Sequence, residues 1–359
     1  MKKLHSVIIG SGSYLPEKII KNEDFLENEF FDAKGNKIPK ENKEIIKKFE
    51  EITGITERRY IEDKYKSSDI ATIAAERAIA DAGINKEDLD HIIVAHNFGD
   101  LAYGTRSSDL VPALASRVKY NLGIENPYCV AYDILFGCPG WLQAMIQANF
   151  YLKSNNGKYA LVIGVENLSR VSDPHDIDSM IYSDGAGAVI LEVKESNDNI
   201  GILNHLSRSD TKTMAWMLKM DKSYKKDAFK GDLFLKMNGR RIYEYAVNTV
   251  PGEIKKVIDQ ANIDIRDIKK VLLHQANEKM DVAMLKRVFK LYGITDIPNN
   301  IMPMIINKMG NNSVATLPIM YDKIKKGELN EHRLNSGDYI IFASVGAGLN
   351  VNVILYKVP

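Results

Sequence analysis

Two stretches of this chain, IADAGINKEDLDHIIVA from Ile79 and IDQANIDIRDIKKVLLH from Ile258, lie over one another without a gap. A second pair, GKYALVIG from Gly157 and GDYIIFAS from Gly337, repeats at nearly the same spacing of about 180 residues. Each member of the first pair reads as the end of an amphipathic helix, a short turn, and a continuous apolar run of the kind buried on both faces of a sheet. A period of about half the chain excludes a solenoid of short repeats. It predicts two similar α/β halves packed together, residues 1–200 and 201–359. With 45% hydrophobic and 26% charged residues, 359 residues can bury one large core or two fused ones.

A formal charge of +1 removes the argument for a global nucleic-acid field. No apolar run approaches membrane-spanning length, and Val7 to Ile9 is too short for the core of a secretory signal. Cys129 and Cys138 are the only cysteines, too few for a disulfide framework, and they fit a reducing cytoplasm as the expected location. One of them is free to be kept for chemistry.

Two segments interrupt the repeated pattern. FFDAKGNKIPKENKEIIKKFEEITGITERR, with turn signals at Lys34-Gly35-Asn36 and Pro39, reads as a surface excursion followed by a short helix. The stretch from Thr211 to Val247 mixes aromatics, methionines and lysines before a clear helix. It fits a loop that covers the core or one that lines a substrate tunnel.

In NPYCVAYDILFGCPGWLQAMIQANFYLKS, a strand from Tyr128 to Asp133 precedes a small-residue turn and a helix with apolar Leu142, Met145, Ile146 and Phe150. Cys138 lies at the junction. Pro139 suits the first helical position, and Gly137 and Gly140 leave room around the sulfur. A thiol at a helix N-terminus is expected to have its pKa lowered by the unpaired amides and the dipole, although a small buried residue in a tight turn gives the same pattern. Cys129, inside an apolar strand, reads as an inert buried residue. VLLHQAN places His274 just after a second buried strand, where ligand and catalytic groups gather in α/β folds but where structural histidines also sit. Asn311, in KMGNNSVATLPIM, reads alone as a turn or helix cap.

Taken in order, GSGSYLP, TGITER, SDIATIAAERAI, Gly137-Cys138, SRVSDP, SDGAGAVILE, HQAN, GNNS and SVGAGLNV run nearly the length of the chain. With them it resembles the thiolase-like condensing enzymes, and within these the ketoacyl-acyl-carrier-protein synthases of type three. The resemblance implies a thiolase-like α/β fold of duplicated halves in an αβαβα layering. It implies that Cys138 carries an acyl group, and that His274 and Asn311 donate hydrogen bonds to the enolate formed when a malonyl thioester loses carbon dioxide. The oxyanion would be held by the backbone amide of Cys138 and one from the Gly346–Gly348 loop, Gly348 being the position expected. No permanently bound cofactor and no metal are expected; the substrates are an acyl thioester, on coenzyme A or a carrier protein, and malonyl-acyl carrier protein. Relatives differ in what is missing here. No cysteine follows Cys138, as a degradative thiolase would require. Asn311 stands where the elongating synthases have a second histidine, and the terminal SVGAGLN differs from the glycine loop of plant-like polyketide synthases.

The resemblance also marks departures. Lys48 and Ile52 stand where initiating enzymes place the tryptophan and arginine that sandwich the adenine of coenzyme A. Arg170, in SRVSDP, is the expected phosphate contact. Lys279, Lys286 and Arg287 share one helix face and form the expected docking patch for an acidic carrier protein, although a further basic family position reads Glu244. A homodimer is expected, with Val111 of SDLVPALAS reaching into the partner's acyl pocket. The altered donor site leaves a second reading beside fatty acid synthesis: a specialised-metabolite ketosynthase or acyltransferase of dialkylresorcinol or polyketide type that joins preformed acyl chains.

Overall fold

The computed structural model describes residues 3–359. Nine strands build two sheets: β1 (Lys3–Tyr14), β2 (His91–Ala95), β3 (Val130–Ile134), β4 (Tyr159–Asn167), β5 (Asp184–Ser196), β6 (Gly201–Ser209), β7 (Ile268–Leu273), β8 (Tyr339–Gly346) and β9 (Asn350–Lys357). The first sheet runs β1-β5-β4-β2-β3 and the second β7-β8-β9-β6. In the first, β2 pairs parallel to β4, β4 antiparallel to β5, and β5 antiparallel to β1. The second repeats that order: β7 pairs parallel to β8, β8 antiparallel to β9, and β9 antiparallel to β6. The strands matched by the sequence repeat, β2 with β7 and β4 with β8, therefore hold equivalent places. Strand β3 has no counterpart; it is the extra edge strand that leads to Cys138.

Burial explains why the apolar runs become strands. Every residue of β2 is buried, as are nearly all of β4 and β8, so these strands are covered on both faces by helices. Helices α1 (Asn42–Thr53), α2 (Ser67–Ala82), α3 (Leu114–Asn121), α4 (Gly140–Lys153), α5 (Gly239–Gln260), α6 (Glu278–Lys290) and α7 (Thr316–Lys325) follow in chain order. α2 and α3 cover the outer face of the first sheet, α5 and α6 that of the second, and α4 and α7 lie between the sheets. The layering is αβαβα. The central core joins Leu142, Met145 and Leu152 of α4 to Ile319 and Tyr321 of α7, and to Leu272, Phe342 and Tyr356 of the second sheet. Phe150 departs from the apolar stripe expected of α4: it is 56% exposed, its ring edge-on to His205.

Two insertions reshape the end of the sheets where Cys138 lies. The excursion before Thr53 ends in α1, which buries Ile45, Ile46 and Phe49 and closes on Gly54 in the left-handed conformation at φ 75°. The stretch after Thr211 contains a small hairpin, Leu218–Asp221 paired with Phe234–Met237. No helix among the described residues is long and apolar enough to cross a membrane.

Candidate active site

Cys138 sits between the end of β3 and the start of α4, with Pro139 as the cap residue. Two glycines let another segment press against it. A Cβ on Gly346 would lie 2.5 Å from the Cys138 nitrogen, and one on Gly137, at φ 67°, would lie 2.6 Å from the Ala347 nitrogen. Side chains at either site would drive the loop after β8 away from the cysteine. Gly346 and Ala347 line the cavity beside Cys138, whereas a Cβ on Gly348, at φ 76°, would meet the Asn350 side chain.

The cavity of about 250 Å³ above Cys138 is also lined by His274 and Asn311. His274 follows the last residue of β7 and is 4% exposed. Burial pushes its pKa down to about 4, so the ring is a neutral imidazole at pH 7 with one N–H to offer. Nδ1 has no protein partner among the described residues. Asn311 is 6% exposed, and its Oδ1 accepts from the Ser313 N–H at 2.7 Å, which turns the amide donor away from that bond and leaves it for the cavity. Asn312 instead donates to the Asp184 carbonyl at 2.8 Å and is fully buried, a structural role.

The thiol differs from the expectation of a lowered pKa. Burial pushes Cys138 up to about 11, against the opposing hydrogen bond from the Ser313 hydroxyl, whose Oγ lies 3.3 Å from Sγ. Desolvation outweighs the helix start, so the resting group is a protonated thiol. Cys129 is likewise raised to about 11 by burial, as expected of an inert residue.

Sequence reasoning missed what stands behind Ser313. Asn97 donates through Nδ2 to Ser313 Oγ at 3.1 Å and to Glu166, and its backbone N–H reaches the same carboxylate at 3.4 Å. Glu166 is 2% exposed at the carboxyl end of β4, and burial pushes it up to about 8. A charged residue closing a buried apolar strand was the available signal.

The stretch after Thr211 lines the tunnel: Leu218, Met220, Leu235 and Met237 face the cavity. A second cavity of about 610 Å³ shares Met237, Ile242, Ala276 and Met280 with the first and opens toward Lys48 and Ile52 of α1. Lys279, Lys286 and Arg287 are exposed on α6 and make no ion pair among the described residues. Glu244 pairs with Arg240 at 3.0 Å. Val111 is 85% exposed and lies outside the Cys138 cavity of its own chain. Arg170 is not brought to either cavity. Its guanidinium is spent on the carbonyls of Leu101 and Glu62, in a separate cleft beside Tyr103, because the turn after β4 directs it away from the cysteine.

The sequence profile of 3-oxoacyl-[acyl-carrier-protein] synthase III matches residues 132–211, and that of its C-terminal part matches residues 258–358. The beta-ketoacyl-[acyl-carrier-protein] synthase III of Staphylococcus aureus (strain Newman) is 33% identical over 351 residues, 98% of each chain. Among solved structures, the 3-oxoacyl-[acyl-carrier-protein] synthase III of Aquifex aeolicus VF5 superposes with a TM-score of 0.78 at 27% identity, covering 98% of this chain and 99% of its own. The corresponding Thermus thermophilus synthase gives 0.80 at 26% identity, with the same coverage.

Proposed function

The chain belongs to the 3-oxoacyl-[acyl-carrier-protein] synthase III family, and from that premise we propose that Cys138, His274 and Asn311 carry out its reaction. The family makes the protein an acyltransferase, a condensing enzyme of fatty acid biosynthesis. Cys138 attacks the carbonyl carbon of an acyl thioester, the tetrahedral oxygen is held by the N–H groups of Cys138 and Ala347, and the donor thiol leaves. A malonyl thioester then enters. As its carboxylate departs as carbon dioxide, negative charge grows on the thioester oxygen, where the neutral His274 and the Asn311 amide donate. The enolate carbon attacks the acyl carbonyl, the Sγ–C bond breaks, and a β-ketoacyl thioester two carbons longer is released. The electron pair comes from the bond to the departing carboxylate, so the chemistry calls on no redox cofactor. The observation that carries this reading is the convergence of Cys138, His274 and Asn311, from three distant segments, on one cavity. Supplying an acyl thioester with malonyl-acyl carrier protein and weighing the product tests it: absence of a two-carbon-longer β-ketoacyl carrier protein would count against the reading.

We place the acyl carrier protein on the face of α6 that shows Lys279, Lys286 and Arg287. Three exposed cations, unpaired among the described residues, on the helix whose Met280 lines both cavities suit an acidic helix that delivers its prosthetic arm. Lys48 and Ile52 do not supply the aromatic and guanidinium sandwich for the adenine of coenzyme A, and Tyr243 and Arg240, from the opposite wall, are the aromatic and the guanidinium that remain in this cavity. Carrier-protein thioesters are therefore expected to acylate Cys138 faster than matching coenzyme A thioesters, with a steep salt dependence. Lys279→Glu with Lys286→Glu should lower the carrier-protein rate about tenfold or more and leave the coenzyme A rate nearly unchanged. An equal loss with both donors would remove the docking argument.

A second copy of the chain is the partner we propose for the open edge of β3. That edge presents Tyr128 at 85%, Val130 at 52% and Leu135 at 59% exposure, an apolar margin that an isolated subunit would leave in water. Sedimentation should report a dimer, and Val111→Phe should shorten the acyl chains accepted, since added volume in a closed pocket produces strain. A monomer, or an unchanged chain-length profile, counts against the arrangement. A reducing cytoplasm, which keeps Cys138 a free thiol, is the location this chemistry needs.

A further inference from the structure

We propose that Glu166, acting through Ser313, receives the Cys138 proton when the enzyme is acylated and returns it to the departing thiol. The inference rests on the reading of Cys138 as the acylated residue.

A thiol held as S–H must lose its proton as it attacks, and the local geometry restricts where that proton goes. Among the described residues, the side chain hydrogen-bonded to Cys138 Sγ is the Ser313 hydroxyl, at 3.3 Å. Asn97 Nδ2 donates to that hydroxyl oxygen at 3.1 Å and also to Glu166, so the serine and the carboxylate stand on either side of one amide group. Ser313 is held there at φ 50°, a left-handed conformation that a serine adopts only under constraint. The strain is maintained by the Asn311 Oδ1 bond to its N–H. Asn97 bonds to both Ser313 Oγ and Glu166 and fixes their separation.

Glu166 itself requires an account. It is 2% exposed and forms no ion pair among the described residues. A carboxylate buried without a cation costs stability, and a core position at the end of β4 does not call for one. The titratable groups facing it are Cys138 and, from neighbouring β5, Asp184, whose carboxylate is already taken up by the Ile61 and Ser169 N–H groups and the Ser169 hydroxyl. Beside Asn97, His96 and Asp133 form a pair of their own at 2.9 Å. Burial raises Glu166 to about 8, which brings its proton affinity toward that of the thiol; an ordinary solvated carboxylate would be a much weaker acceptor.

The step balances without any further reagent. As the Sγ–C bond forms, the thiol proton passes to Ser313 Oγ and the serine proton passes to Glu166, leaving a tetrahedral oxyanion and a neutral glutamic acid. As the carbon–sulfur bond to the donor breaks, the same two transfers run backward and the donor leaves as a thiol. Glu166 is thus a positioning and proton-holding residue that acts through Ser313.

Single-turnover acylation of the full-length protein, followed by intact mass from pH 6 to pH 10, tests the relay. In the wild type the rate should rise with pH through a midpoint near 8, as Glu166 ionises, and then level off. Glu166→Gln is isosteric and keeps one acceptor oxygen for the Asn97 side-chain amide, giving up the weaker bond from the Asn97 backbone N–H at 3.4 Å, and should therefore fold. It should acylate about a hundredfold more slowly at neutral pH, with a rate that keeps climbing beyond pH 9. Glu166→Asp should restore part of the rate and a levelling profile, which a packing role would not produce. Ser313→Ala should match the Gln variant, and the double variant should be no slower than either. A Glu166→Gln enzyme within twofold of wild type, or one that retains the midpoint near 8, overturns the relay while leaving Cys138 as nucleophile. A wild type that gains no acyl mass on Cys138 overturns the nucleophile reading itself.

Discussion

Cys138→Ala is expected to take up no acyl group at all when challenged with acyl-carrier or coenzyme A thioesters, with intact mass as the readout. The loss should be complete because no other nucleophile is placed to substitute. Cys129 lies buried in the lead-in to β3, outside the cavity, and the Ser313 hydroxyl is engaged by Asn97. The variant should remain folded, since alanine removes one sulfur from a site open to the cavity and disturbs neither the Gly346 approach nor the start of α4. It should also still decarboxylate malonyl thioester, because the two donors to the enolate come from other segments. That combination separates the two half-reactions within one protein. Acyl mass remaining on the variant would move the nucleophile elsewhere, and loss of both half-reactions would point to a collapsed site.

How much of this was legible beforehand depends on the range of each interaction. The apolar runs of β2 and β7, with their flanking helices, are local patterns, so the duplication and its pairing order could be read directly. Cys138, His274 and Asn311 each stand at an element boundary with a distinctive neighbourhood, and a motif reports them without any knowledge of their separation. Glu166, Asn97 and Ser313 are 216 positions apart at the extremes, and only the folded chain brings them together. The direction of the Cys138 pKa was misjudged for a related reason: a helix start is visible in sequence, whereas the desolvation that overrides it comes from the loop after β8 and from the hairpin after Thr211. Arg170 shows the limits of a motif in another way. The right type of residue can be present and still have its donors taken up by backbone carbonyls, as the Arg170 guanidinium is by Leu101 and Glu62.

His274→Ala and Asn311→Ala should still acquire an acyl group on Cys138 but lose decarboxylation of malonyl thioester by about a hundredfold or more, roughly 2.7 kcal/mol of lost stabilisation for each donor. The enolate oxygen carries a full charge inside a cavity that excludes most water, so a missing donor there is not replaced by solvent. For Asn311 the alanine variant has a second consequence, since its Oδ1 holds the Ser313 N–H and through it the strained Ser313 turn. Asn311→Asp is the cleaner probe: it keeps that acceptor, so acylation should survive, yet it places a carboxylate where a donor is needed, so decarboxylation should fall at least as far as in the alanine variant. The pH dependence follows from His274 being neutral. Its pKa lies at about 4 in the folded protein, below the ordinary value of 6.5, so the N–H donor is present throughout the range from pH 6 to pH 9. Decarboxylation should accordingly show no decline as pH rises through 6.5. A fall with a midpoint near 6.5 would mean that an imidazolium is the active form. Below 6.5 the sign reverses for stability, because the unfolded chain binds a proton that folded His274 refuses until about pH 4. Unfolding midpoints should therefore drop across that window in the wild type and drop less in His274→Ala, a control that separates loss of the fold from loss of the donor. Normal decarboxylation in either His274→Ala or Asn311→Asp would remove that residue from the enolate site.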